Sequence, residues 1–196
     1  MQHGVFDLFP RIETPRLLLR KMRNNDVDAL YTLFSDLRVS RHYDLATFQS
    51  RDEAKQLLES FLQRYARRIG LRWAITYKDA PDALIGTCGY NIWFQEARRA
   101  VLGYDLHPAH WRQGIMSEAL SAVLDIGFSS MQLHRIEALT FPENTASRRL
   151  LDRLGFAEEG VLRDYQYLHG HYQSMAMYAL LAQDQSPKLG AALNAS

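Results

Sequence analysis

Two stretches of the chain combine residue types at spacings that can do chemistry. The first is His107-Pro108-Ala109-His110-Trp111-Arg112-Gln113-Gly114-Ile115-Met116-Ser117-Glu118-Ala119. Its patterning puts the end of a strand ahead of the start of a helix. Such a turn aims several unpaired backbone N–H groups at one point, and the helix dipole adds partial positive charge there. That makes an anion site suited to a pyrophosphate, with Gly114 letting the backbone come close to a ligand. A strand-to-helix turn with a glycine is also an ordinary connection. The second stretch is Asn144-Thr145-Ala146-Ser147-Arg148-Arg149-Leu150-Leu151-Asp152-Arg153-Leu154-Gly155-Phe156. Asn144 suits a helix N-cap. Ser147, Leu150, Leu151 and Leu154 share one helical face. A serine on such a face either bonds back to its own helix or looks into a polar cavity.

The elements that must position these stretches are also patterned. Residues 16–20 read as a strand and 25–35 as a helix. Ser50 and Glu53 form a capping-box pattern, after which Ala54, Leu57, Leu58, Phe61, Leu62 and Tyr65 recur on one helical face. Strands are expected at 71–77, 83–94 and 97–107, the last two as a hairpin turning near Glu96. A helix follows over 114–130, burying Ala119, Leu120, Val123 and Leu124. Then come a strand at 134–140, a helix at 144–154 closed by Gly155, and two strands flanking a turn at His169-Gly170. The order β-α-α-β-β-β-α-β-α-β-β predicts an α/β fold, a mixed sheet with helices on its faces. Residues 1–11 read as a loose lead-in, 12–183 as one domain and 184–196 as a flexible tail of small and polar residues.

Composition narrows the function class. The chain has 196 residues, 47% hydrophobic and 23% charged, with a formal net charge of +1, enough for one domain with a substantial core. Nothing in this balance points to nucleic acid. Cys88 is the only cysteine, so no internal disulfide forms, and no Cys/His cluster has metal-site spacing. The start lacks the pattern of a signal peptide, and no apolar run approaches the length of a membrane span, so a cytoplasmic location is expected.

The two stretches, in this order and separated by a strand, resemble the GNAT superfamily, specifically the branch of ribosomal-protein N-terminal (alanine/serine) acetyltransferases. Ile12-Glu13-Thr14-Pro15-Arg16-Leu17-Leu18-Leu19-Arg20 resembles its first strand and Gly103-Tyr104-Asp105-Leu106-His107-Pro108 its fourth. Trp111 to Ala119 resembles its acetyl-CoA loop, and Asn144 to Phe156 its last helix. Leu162-Arg163 and Gly170 fit its closing hairpin. The resemblance implies a single GNAT-type domain, with a mixed sheet of about seven strands splayed between the fourth and fifth and flanked by about four helices. Pantetheine is expected in that gap, bonded by the backbone of Tyr104 and Leu106 and by Asn144. The loop Trp111, Arg112, Gln113, Gly114, Ile115, Met116 and Ser117 is expected to bind the cofactor, its N–H groups holding the pyrophosphate. Ser147 matches the serine proposed as general acid for the leaving thiolate, and the Tyr104 N–H is expected at the oxyanion.

Departures shape the rest. Met116 stands where many relatives have glycine or alanine, which backbone amides tolerate. Leu151 stands where relatives outside this branch place a tyrosine acid. Carboxylate bases found elsewhere in the family would fall near Ala100 or Gln166, neither of which can act as one. Glu137, Asp105 and Asp164 are the carboxylates at hand. Without a strong base the acceptor must arrive neutral. An α-amine of pKa about 7.7–8.0 is neutral to the order of a tenth at pH 7, a lysine of about 10.4 to well under a thousandth. The implied reaction is acetyl transfer from acetyl-CoA to a primary amine by direct attack in a ternary complex, most naturally a protein or peptide N-terminus. A small-molecule acceptor of polyamine or aminoglycoside type, or a non-catalytic acyl-CoA-binding regulatory module, are the alternatives. Neither metal, nucleic acid nor membrane is expected as a partner, and a monomer or homodimer is. Arg67-Arg68 and Arg148-Arg149 read as solvated faces, the latter also as a contact for a CoA phosphate. Tyr165, Tyr167, Tyr172 and Tyr178 read as sheet packing or as an acceptor rim.

Overall fold

Leu17 to Arg20 and Leu71 to Thr76 are buried without interruption, as strands covered on both faces must be. A computed structural model describes residues 4–43, 45–168 and 170–184. In chain order its elements are β1 (Ile12–Glu13), β2 (Leu17–Arg20), α1 (Val27–Phe34), α2 (Leu37–Ser40), α3 (Arg51–Ala66), β3 (Leu71–Tyr77), β4 (Gly86–Phe94) and β5 (Arg99–Leu106). There follow α4 (Ile115–Ser129), β6 (Arg135–Thr140), α5 (Thr145–Arg153), β7 (Ala157–Leu168) and β8 (His171–Leu181). The strands form one sheet in the order β1-β2-β3-β4-β5-β6-β8-β7. Neighbours are antiparallel except β5 and β6, which are parallel and therefore need the α4 crossover.

The expected architecture is present with one more strand and one more helix. The additions are β1, two residues paired with Leu18 and Leu19, and α2, four residues. Both are too short to carry a period. Helix α3 starts as patterned: the Glu53 carboxylate accepts from the backbone N–H of Ser50 at 2.8 Å and of Gln49 at 2.7 Å. Its Ala54, Leu58 and Phe61 join Leu30, Leu33 and Phe34 of α1 in one core under the sheet. A second core on the opposite face holds Ala119, Leu120, Val123 and Leu124 of α4. Gly127 of α4 is a close approach: a Cβ there would strike the Tyr90 hydroxyl, which donates to the Val123 carbonyl at 2.8 Å. Helix α5 ends in a Schellman motif, with Phe156 N–H to Leu151 O and Gly155 N–H to Asp152 O, both 3.0 Å, and Gly155 at φ 88°.

The lead-in is packed rather than loose over residues 4–11. Val5 is buried, Phe6 stacks on Trp93 at 5.4 Å, and Phe9 meets Trp73, whose indole N–H donates to Pro10 O at 2.6 Å. These aromatics carry no period, so they read as a tail. Of the expected tail, only Asp184 is described. His169 of the last turn lies outside the described residues. Among those, no helix is long and apolar enough to cross a membrane.

Candidate active site

Strands β5 and β6 run together only as far as Leu102 and Ala138, although β5 continues to Leu106 and β6 to Thr140. Beyond that pair they diverge, and the β5 edge is left open. The ladder on its other side fixes which groups face the gap. His107 N–H bonds Ile85 O at 2.9 Å, which makes Asp105–Thr87 the next hydrogen-bonded pair along the ladder. Tyr104 and Leu106 therefore turn their backbone N–H and C=O away from β4, into the gap. The Trp111 indole N–H already reaches Leu106 O there, at 2.7 Å. Around the gap lies an open cleft of about 1450 Å³.

At the mouth of the gap the chain makes the expected turn. Arg112 at φ 60° and Gly114 at φ 73° are both left-handed, and no side chain caps the first N–H groups of α4. These donors and the helix dipole converge on the cleft, which suits an anion. Trp111, Arg112, Gly114, Ile115, Met116 and Ser117 line it, whereas Gln113 folds its carboxamide back onto Ala109 O at 2.9 Å. Ile115 and Met116 are also buried members of the core on the α4 face. A clamp from the start of the chain holds the loop. Arg16 donates to Gln113 O at 2.9 Å and pairs with Glu118 at 2.6 Å, and the Thr14 hydroxyl donates to Glu118 at 2.6 Å. Burial opposes charge on Glu118, but Thr14 and Arg16 outweigh it and hold its carboxyl below the usual range.

Across the gap, Asn144 Oδ1 accepts from Ser147 N–H at 3.1 Å and caps α5. The Ser147 hydroxyl does not bond back to its helix. It lies 2.6 Å from the Tyr104 hydroxyl, bridging β5 and α5 where the strands part. Desolvation keeps the Tyr104 phenol well above its ordinary pKa, with the Ser147 hydrogen bond opposing, so it is a neutral phenol. The sequence reading used only the backbone of Tyr104. Its hydroxyl was missed, since nothing local connects residues 104 and 147.

The candidate bases are otherwise engaged. Asp105 is buried against Arg72 and accepts from Thr87 at 3.2 Å. Glu137 accepts from Arg99 at 2.5 Å and Arg135 at 2.7 Å. Asp164 is exposed, at φ 50° in an irregular stretch of β7. His42, absent from the sequence reading, lines the cleft and has a buried Nδ1 without a hydrogen-bond partner among the described residues. Burial and then Arg41 lower its pKa, with Glu143 opposing, so the ring is neutral at pH 7. It sits in a loop with no pattern to mark it. Arg148 is taken by Glu158 and Tyr178, while Arg149 lines the cleft. Tyr178 is buried sheet packing, Tyr167 and Tyr172 form an exposed ring pair at 5.2 Å, and Tyr165 borders the cleft.

The open strand edge, the uncapped helix start and the hydroxyl pair between them fit an elongated phosphate-bearing thioester. Comparison with known proteins agrees. Residues 16–157 match the family model described as an acetyltransferase (GNAT) domain. The chain is 40% identical to the uncharacterized N-acetyltransferase YoaA of Bacillus subtilis (strain 168), over 89% of this chain and 98% of the relative. It is 26% identical to the [ribosomal protein uS5]-alanine N-acetyltransferase of Escherichia coli (strain K12), over 90% and 93%. It is also 26% identical to the spermidine N(1)-acetyltransferase of Vibrio cholerae, over 84% and 93%. A solved GNAT-family acetyltransferase from Bacillus anthracis superposes with a TM-score of 0.78 at 25% identity, covering 89% of this chain and 99% of that one. The chain belongs to the GNAT family and is an acetyl-CoA-dependent N-acetyltransferase.

Proposed function

We propose that the acceptor is a protein or peptide N-terminal α-amine, which attacks the acetyl thioester directly in a ternary complex. The observation that carries this reading is the state of the carboxylates in the cleft. Asp105 and Glu137 are both committed to arginines, and Glu143 stands at the exposed rim. No described carboxylate at the splay is left to deprotonate a strongly basic amine, so an amine already partly neutral is favoured. An α-amine of pKa about 7.7–8.0 meets that condition, and a lysine of about 10.4 does not. The Tyr104 N–H stabilises the developing oxyanion, and Ser147 gives its hydroxyl proton to the departing sulfur and takes one back from water in the open cleft. The amine's own proton leaves to solvent through the open cleft. The loop at 111–117 and Asn144 hold the donor in register, so positioning supplies much of the rate.

The relative named for alanine of ribosomal protein uS5 supports the N-terminal reading, and the relative named for spermidine supplies the competing one. The test is the rate at subsaturating acceptor against pH, for peptides whose N-terminal pKa values differ. The expected profile rises and levels near each acceptor's own pKa, about 8 for a typical peptide. A break that stays fixed across acceptors and disappears in His42→Gln makes the imidazole the base and overturns the argument. Robust acetylation of internal lysines at pH 7 also overturns it.

A further inference from the structure

We propose that this enzyme selects anionic acceptors: peptides carrying carboxylates just after the reacting terminus. The charges on the acceptor arm of the cleft point to this class. Side chains alternate along β5. Ala100 and Leu102 enter the core with α4, and Arg99 lies on the opposite face, with Glu137. The acetyl-CoA loop is on the α4 side, so the acceptor approaches from the face that α2 and the end of α3 overhang. Four arginines line that arm: Arg38, Arg41, Arg64 and Arg99.

The acidic groups there are largely spent on this surplus. Arg38 is held by Asp36, and Arg99 shares Glu137 with Arg135 while lying 3.9 Å over the Phe94 ring. Asp105 is balanced by Arg72 behind it. Among the described residues, Arg41 and Arg64 form no ion pair, and Glu143 is the one lining carboxylate outside an ion pair. A polyamine needs several carboxylates outside ion pairs in such a groove, whereas an acidic peptide finds two guanidiniums outside any described ion pair, Arg41 and Arg64, the latter 5.9 Å over the Phe61 ring. The peptide form of the acceptor rests on the function proposed above; the choice of charge does not.

The experiment measures kcat/KM for peptides sharing an N-terminal serine and differing only in Glu, Gln or Lys at the second and third positions. Spermidine and free glutamate run alongside. The Glu peptides should exceed the Lys peptides by about tenfold or more at low ionic strength, equivalent to ~1.4 kcal/mol. The ratio should shrink as salt shortens the screening length. The double variant Arg41→Gln, Arg64→Gln should bring the ratio close to one, with acetyl-CoA affinity held at the parent value. Preference for Lys peptides or spermidine overturns the inference, as does a ratio the double variant leaves intact. If no peptide reacts but glutamate outpaces spermidine, the charge selection stands and the N-terminal acceptor falls.

Discussion

Ser147→Ala separates a catalytic hydroxyl from a structural one, because the two roles predict different magnitudes. The side chain makes one described hydrogen bond, to Tyr104 at 2.6 Å, across a cleft open to water. Its net worth to stability is about 1 kcal/mol, since the stranded phenol can take a water instead. As a proton donor to the departing sulfur it would contribute about 10²–10⁴ in rate, or ~2.7–5.4 kcal/mol. The variant should therefore lose kcat on the order of a hundredfold or more while unfolding only slightly earlier, with acetyl-CoA affinity little changed. Single-turnover acetylation and denaturant unfolding of the same preparation read both quantities. Tyr104→Phe keeps the ring and removes the partner. If Tyr104 only orients Ser147, its loss costs about tenfold, and the double variant falls no further than Ser147→Ala alone. Turnover of Ser147→Ala within about threefold of the parent, beside a clear stability loss, refutes the donor role. A larger loss in Tyr104→Phe than in Ser147→Ala would transfer the role to the phenol.

Gly114→Pro removes an N–H from the turn proposed to hold the pyrophosphate and forbids the φ of 73° found there, so acetyl-CoA affinity by calorimetry should fall about tenfold or more. The clamp on that turn depends on ionised Glu118, whose pKa is depressed below its ordinary 4.5. Its stabilisation is present above that value and lost as pH falls through the lower folded pKa, so thermal unfolding of Glu118→Gln and parent should differ at pH 7 and converge in acid. Asp26→Asn leaves buried Arg20 without its charge partner, now held at 2.7 and 2.9 Å, and should cost about 3–5 kcal/mol in urea unfolding. Cys88 is fully buried, and desolvation pushes its thiol up to about 12, so the folded enzyme should resist alkylation at pH 8 while the unfolded chain reacts.

What could be read from the sequence was local. The Ser50/Glu53 cap, the stripe of α3, the Gly155 stop and the loop at 111–117 each rest on neighbours within a turn or two, and each stands in the structure. What could not be read depends on contacts made only when the sheet assembles. Arg16 and Glu118 meet across 102 positions, Tyr104 and Ser147 across 43, Arg72 and Asp105 across 33. A one-residue change of register would turn Asp105 from its buried pair into the gap, so its availability as a base was open until the ladder was known. The Thr14-Pro15-Arg16 opening shows the same limit from another side. As sequence it marked a first strand, and only the fold shows that it also fastens the turn before α4.

One topological choice accounts for the position of the whole site. Strands β5 and β6 are the sheet's single parallel pair among the described residues. Parallel neighbours need a crossover, and the crossover helix must begin where the first strand ends. The N-terminus of α4 is thereby delivered to the carboxyl end of β5, and that of α5 follows from the carboxyl end of β6 after a short turn. Two helix starts with their partial positive charge thus open onto the same edge, that of α4 without a side-chain cap and that of α5 capped by Asn144. Crevices outside the carboxyl ends of parallel strands are where open α/β sheets bind ligands. Ending the β5–β6 ladder at Leu102 leaves that crevice with one open strand edge, Tyr104 and Leu106, along which we propose that the thioester lies. The antiparallel strands on either side could differ in number, as β1 does from expectation, without moving this site. The ladder's end could not move: pairing carried two residues further would set Thr140 against Tyr104 and cover that part of the open edge.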